Sequence, residues 1–298
     1  MKSMRRRVFL AGLCASALLV QLCSGAPAQD TGKHSLWKVS SGSNAVYLLG
    51  SIHLLKEEHY PLPGAMNKAF EDSGSLVLEV NLEDATSVKA QMAMMTRAML
   101  QPPETLKDKL SEETYSIAAR EMKALGLDIS ALGQLKPWMV MLTMAQLKLQ
   151  KLGFRPDLGL DMHFFGKAKK AGKKIIGLET LEFQINLFDN LTDKQQEELI
   201  KQTVEDLGVL ESEMKTVLEA WSTGNGEKLS AVLSKSFDKF PELKKSLFTD
   251  RNDAWIGKIE PLLKEDKNYL VVVGAGHLVG KEGLVAAFRK KGFKVEQL

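Results

Sequence analysis

Cysteine is almost absent from this 298-residue chain, and the two that occur, Cys14 and Cys23, both fall within the first 28 residues. The remaining 270 residues therefore hold no disulfide, no thiolate nucleophile and no cysteine metal ligand, so a metal site there has to be built from His, Asp and Glu. Long apolar runs are equally scarce. Val8 to Val20, at 13 residues, is too short for a comfortable membrane span, and no later run is long enough. An excess of one charge is missing as well. The chain has 40 Lys+Arg against 37 Asp+Glu, but residues 1–28 contribute four of the former and none of the latter, which leaves 36 against 37 beyond them. That balance offers no footprint for nucleic acid. There is no His-Glu-x-x-His helix, no low-complexity segment and no internal repeat beyond one short turn motif. Any histidine–carboxylate site must therefore be assembled by the fold and not by one helix.

Residues 1–28 read as an export signal and are set aside from fold reasoning. Lys2, Arg5, Arg6 and Arg7 form its charged region, Val8 to Val20 its apolar region, and Ala26-Pro27-Ala28 a small-x-small cleavage site that leaves Gln29 at the mature start. Arg6-Arg7-Val8-Phe9-Leu10 also has the form of a twin-arginine core, so both the Sec and the twin-arginine routes are open. The expectation is a periplasmic or secreted protein with no stable membrane span once the signal is removed.

What the chain does have is a pair of Gly-x-x-His turns, 224 residues apart. Gly50-Ser51-Ile52-His53 follows the apolar run Ala45 to Leu49, and Gly274-Ala275-Gly276-His277 follows Tyr269 to Val273. In each, a strand runs into a glycine turn that presents a histidine just past the strand's carboxyl end, where open α/β sheets build their sites. A third apolar strand, Leu76 to Asn81, is interrupted by Glu79, a carboxylate that is costly there unless paired. The pattern predicts an α/β (α+β) fold, with a mixed sheet core, flanking helices and a large, mostly helical insertion over residues 84–267 within a domain of residues 29–298. Strands are expected at 35–39 and 45–49 around a loop at 40–44, with a helix over 64–72. A strand at 173–178 follows a helix over 158–171, and a βαβ unit closes the chain at 269–297. Met92, Met94, Met95, Met99, Met139, Met141 and Met144 lie in the helical part. They read as core filler, with a groove for apolar ligands as the alternative. The five lysines of residues 167–174 read as a solvated helix end.

Two imidazoles and a carboxylate suit a mononuclear hydrolytic site, since neutral imidazole ligates divalent metals and a glutamate either ligates or takes a proton from bound water. His53, His277 and Glu79 are the candidates, against a bland reading of capping histidines and a structural acceptor. Glu179 follows a strand in the same manner. Arg251 and Asn252, ahead of Trp255, offer a donor to an anionic intermediate or to a carboxylate. Asp161 and His163 flank Met162 and point to different sides of a helix, so they do not ligate together. His34 lies in the mature tail and His59 in a solvated loop. The glycines Gly274, Gly276 and Gly280 with Glu296 imitate a dinucleotide fingerprint, but the chain ends two residues later.

The runs Leu49-Gly50-Ser51-Ile52-His53-Leu54, Tyr60-Pro61-Leu62-Pro63, Leu78-Glu79-Val80, Gly177-Leu178-Glu179-Thr180, Arg251-Asn252 and Val273-Gly274-Ala275-Gly276-His277 resemble the TraB/GumN family. That family includes the TIKI metalloproteases and is related to erythromycin-esterase and ChaN-like proteins. The resemblance implies an α/β core with a helical insertion. It also implies a peptidase-like, divalent-metal-dependent hydrolase, with manganese or cobalt favoured and zinc compatible. His53, His277 and Glu79 would be metal ligands, and Glu79, His53, His277 and Arg251 catalytic. Glu179, Asn252, Gly50 and Gly274 would support them. The implied partner is a peptide or cell-envelope substrate. The alternative is a non-catalytic periplasmic protein that binds a peptide or envelope component.

Overall fold

The computed structural model describes residues 32–42, 44–235 and 239–298, and the expected signal at 1–28 lies outside them. Six strands form one mixed sheet: β1 Leu36–Ser41, β2 Asn44–Ser51, β3 Ser75–Val80, β4 Lys174–Glu179, β5 Tyr269–Gly274 and β6 Lys294–Gln297, in the spatial order β4-β3-β5-β2-β1-β6. The four strands β4, β3, β5 and β2 are parallel neighbours, and β1 runs antiparallel to both β2 and β6. The expected hairpin loop is tighter than the residues suggested. Pairing reaches Ser41↔Asn44, and Gly42, at φ 60°, takes the left-handed turn conformation that a two-residue connection needs. The closing unit has the expected connectivity, but two strands, β2 and β1, separate β6 from β5, so Glu296 is not beside the Gly274 turn as a dinucleotide site would require.

The sheet is covered on both faces because its strands alternate two apolar sets. Leu49, Leu76, Leu78, Leu270 and Val272 point to one face, where they pack on α1 (Gly64–Asp72), α5 (Leu160–Ala171) and α8 (Leu210–Ser222) through Phe70, Phe164 and Trp221. Leu48, Val77, Val271 and Val273 point to the other, against Trp255 and Ile259 of α10 (Asp250–Ile259) and Phe288 of α11 (Leu284–Lys290). Among the described residues between β3 and β5, β4 is the one strand among helices, and part of this stretch has a separate core. That core joins α3 (Glu112–Leu125), α4 (Pro137–Lys151) and α7 (Asp193–Leu207) through Met122, Met141, Met144 and Ile200.

The methionines divide. Met141 and Met144 are buried as expected, and Met94 and Met139 pack beside Trp138. Met92, Met95 and Met99 are exposed, and with Val88 they form one apolar stripe, at helical spacing, along and just past α2 (Val88–Ala98). Lys173 is not simply solvated either, since its amine caps the Phe70 carbonyl behind α1 at 2.7 Å. Among the described residues no helix is long and apolar enough to cross a membrane.

Candidate active site

Strand register brings the two turns together. β2 and β5 pair as Gly50↔Val273 and Ser51↔Gly274, so both turns leave the sheet side by side at its carboxyl edge. β3 lies on the other side of β5, and alternation puts Glu79 on the same face as Val77, towards α10. A Cβ placed on Gly274 would stand 3.2 Å from Glu79 Oε1, 3.3 Å from His53 Nε2 and 3.5 Å from His277 Cδ2. The three expected residues therefore converge on the Cα hydrogens of Gly274, and any side chain there would fill the site. Gly50 packs on Ala275 of the other turn, where an added Cβ would lie 3.0 Å from that methyl. The Gly50 carbonyl accepts the Trp221 indole N–H at 2.8 Å.

His53 is held from behind by a residue that sequence reasoning missed in this role. Its Nδ1 lies 2.7 Å from Asp161 Oδ2, which also accepts the Ser51 hydroxyl at 2.6 Å. The Asp161 carboxylate raises the imidazole to about 9, against the opposing effect of desolvation, although the side chain remains 56 % exposed. Close backbone approach makes this contact possible. A Cβ on Gly159 would sit 2.1 Å from the His53 carbonyl oxygen, and the Leu160 N–H donates to the Ile52 carbonyl at 3.2 Å. Gly159-Leu160-Asp161 at a helix start was the available signal. His163 does point elsewhere, onto the rings of Tyr60 and Phe164 at 5.4 and 5.0 Å.

Arg251 is the hub of the other half. Its Nη2 donates to Glu79 Oε2 and to Glu179 Oε1, both at 2.6 Å, and its Nε to Glu179 Oε1 at 3.1 Å. The guanidinium carbon stacks 4.7 Å from the Trp255 ring, whose N–H donates to Glu179 Oε2 at 3.0 Å. Gln184, also missed, bridges the two carboxylates, donating to Glu79 Oε2 at 3.0 Å and Glu179 Oε1 at 2.8 Å. The Gly274 N–H donates to Glu79 Oε1 at 2.7 Å. Burial by itself would raise Glu79, but the electrostatic attraction of His53, His277 and Arg251 and the Gly274 N–H outweigh it and hold the carboxyl well below the usual carboxylate range. The compensation expected for a charge within an apolar strand is thus an arginine and three donors in all.

His277 is enclosed. Phe248 and Trp255 lie 5.1 and 4.4 Å from its ring, and its side chain is 5 % exposed. Burial pushes it down to about 3, so it is neutral at physiological pH. Nδ1 donates to Asn252 Oδ1 at 2.8 Å, and Nε2 accepts from Arg251 Nη1 at 3.1 Å. Asn252 lies inside α10 and orients the ring. Of the remaining histidines, His34 is buried at the start of β1, contrary to a tail position, because its backbone N–H donates to the Leu298 carbonyl at 2.7 Å. His59 accepts the Lys56 N–H within its own turn. A groove of about 980 Å³ lies behind the His277 turn, lined by Phe248, Asn252, Gly276 and Arg289, and it reaches neither His53 nor Glu79.

Residues 35–297 match the profile of the TraB/PrgY/gumN family. The chain belongs to that family. It is 25% identical over 262 residues to the uncharacterized protein YbaP of Escherichia coli strain K12, covering 87% of this chain and 94% of that one. It is 24% identical over 325 residues to metalloprotease TIKI2 of Xenopus tropicalis, covering 92% of this chain and 61% of the relative. Metalloprotease TIKI1 of Homo sapiens is 22% identical over a stretch covering 92% and 64% respectively. No solved structure matches.

Two donors of this family member's site fit a divalent ion, Glu79 Oε1 and, once its proton is displaced, His53 Nε2. The surrounding charge fits as well, since Glu79 and Glu179 share one guanidinium and Asp161 stands behind His53. His277 does not fit as arranged, because its Nε2 is taken by Arg251. Among the described residues, no group of three or more His, Asp or Glu side chains is set to hold a metal.

Proposed function

We propose that this TraB/PrgY/gumN protein is an exported, peptidase-like hydrolase whose chemistry is centred on His53 and Glu79. The observation that supports it is the convergence of His53 Nε2 and Glu79 Oε1 on the bare Cα of Gly274, at the open carboxyl edge of the sheet. The similarity to metalloproteases TIKI1 and TIKI2 supports a peptide-bond substrate and a divalent ion. His53 and Glu79 would hold that ion, which when bound would polarise the scissile carbonyl. Glu79 stays ionised and offers Oε1 to orient a water, while Arg251 and Gln184 fix its other oxygen. Asp161 aims the His53 ring and stabilises its protonated form, so His53 with no metal on it gives a proton to a leaving amine more readily than it takes one.

The test is turnover of a peptide library by protein purified from Gln29 onwards, with manganese, cobalt or zinc added in turn. Cleavage that needs both His53 and Glu79 supports the reading. A second reading, a periplasmic binder of an apolar peptide or envelope component, draws on the exposed stripe Val88, Met92, Met95 and Met99. Tight binding of library members with no cleavage under any metal would favour it.

A further inference from the structure

The protonation of His277 is dictated from both sides by groups of a single polarity. Asn252 Nδ2 donates to the Glu282 carbonyl oxygen at 2.8 Å, and a carbonyl can only accept. The amide must therefore present Oδ1 to His277, so Nδ1 carries the ring proton and Nε2 the lone pair. On the Nε2 side stands a guanidinium, which can only donate.

Arg251 is also saturated. Its three nitrogens reach four accepting groups: Glu179 from Nε and Nη2, Leu247 O and His277 Nε2 from Nη1, and Glu79 from Nη2. The Leu247 carbonyl belongs to a π turn, Lys245–Thr249, that leads directly into α10. Such turns are frequent at functional sites. Nothing about this arrangement leaves the His277 lone pair for an ion. The donors left are Glu79 Oε1, which is 4.0 Å from His277 Nε2, and His53 Nε2, which an ion takes by displacing its proton.

We propose that Arg251 is a resident cation in the third ligand position, so that a divalent ion is held by His53 and Glu79 while His277 acts as a positioning residue for Arg251. This rests on the metal-assisted reading above. The consequence is a site tuned to weak, exchangeable metal binding, because a fixed positive charge sits where a third ligand would otherwise be.

The test is Mn²⁺ titration of the full mature protein, followed by electron paramagnetic resonance of the free ion, with folding checked by circular dichroism. His53→Ala should weaken binding at least about tenfold, since a ligand is lost. His277→Ala should change it by less than about threefold, as a residue outside the metal's own shell. Arg251→Met should tighten it at least about tenfold, because the His277 lone pair is released and a neighbouring charge removed. Arg251→Met combined with His277→Ala should lose most of that gain, which separates the freed lone pair from the charge alone. If Arg251→Met does not fold, Arg251→Lys serves, because an amine retains charge but cannot reach Glu179 and His277 together. It should tighten binding severalfold, and unchanged affinity would overturn the proposal. Equal weakening in His53→Ala and His277→Ala would overturn it while leaving the metal-assisted reading intact. No Mn²⁺ binding by any of these proteins would overturn both.

Discussion

The two Gly-x-x-His turns share a sequence pattern and a strand edge, yet their histidines occupy opposite environments. His53 is largely exposed, backed by a carboxylate and raised to about 9. His277 is enclosed between aromatic rings, faced by a guanidinium and lowered to about 3. The difference arises from what packs behind each turn. α5 delivers Asp161 to the first through a glycine that lets backbones touch, and α10 delivers Arg251, Asn252 and Trp255 to the second. A shared motif therefore fixes where an imidazole is presented and leaves its protonation to the helix that covers it.

The sharpest way to break this contrast lies at the carboxylate between the two rings. Glu79→Gln keeps the shape but replaces the anion, so turnover on any cleaved peptide should fall by about two orders of magnitude or more. Single-turnover rates beside a thermal melt check this. A destabilised variant with full activity per folded molecule would reduce Glu79 to a structural acceptor.

The next effect is acid sensitivity on the His277 side. A histidine whose folded pKa is lowered binds fewer protons folded than unfolded. Its contribution is fully present above about pH 6.5 and is lost as pH falls towards 3. Taking the folded value as about 3, the loss between pH 7 and pH 4 is about 3 kcal/mol. Urea unfolding at the two pH values should show that loss in the parent, and a much smaller difference in His277→Gln.

His53 should behave in the opposite sense. Stability drawn from its raised pKa is complete below about pH 6.5 and is lost as pH rises through about 9. Asp161→Asn removes the cause, so the ring's titration midpoint should move down by about two units towards the ordinary 6.5. Ring-proton resonances followed against pH measure it directly. The smallest expected effect belongs to the outer support of the Arg251 side. Trp255→Phe deletes the indole donor to Glu179 at 3.0 Å and should cost about 1–2 kcal/mol by chemical unfolding, with the His53 titration unmoved.

Much of this site was legible in the sequence because its parts sit at strand ends. Apolar runs with glycine stops located β2 and β5, and one carboxylate inside an apolar run located Glu79. Alternation in β3 then decides that Glu79 shares a face with Val77. What packs across the sheet was not legible. Asp161 is 108 positions from His53, and Gln184 is 105 from Glu79, so no local spacing joins them. Nor could helical periodicity tell that Met92, Met95 and Met99 face solvent while Met141 and Met144 face a core, since both sets lie at helix spacing. The β1–β2 turn is shorter than its polar residues suggest because residues flanking a hairpin still pair when their backbones meet.

The contrast between the two turns can be tested in one experiment, a long-range ¹H–¹⁵N spectrum of the histidine rings recorded from pH 5 to pH 10. His277 should hold a neutral ring protonated at Nδ1 across the whole range, while His53 should pass from its doubly protonated form with a midpoint near 9. Two rings titrating together near the ordinary 6.5, or a His277 ring protonated at Nε2, would contradict the account.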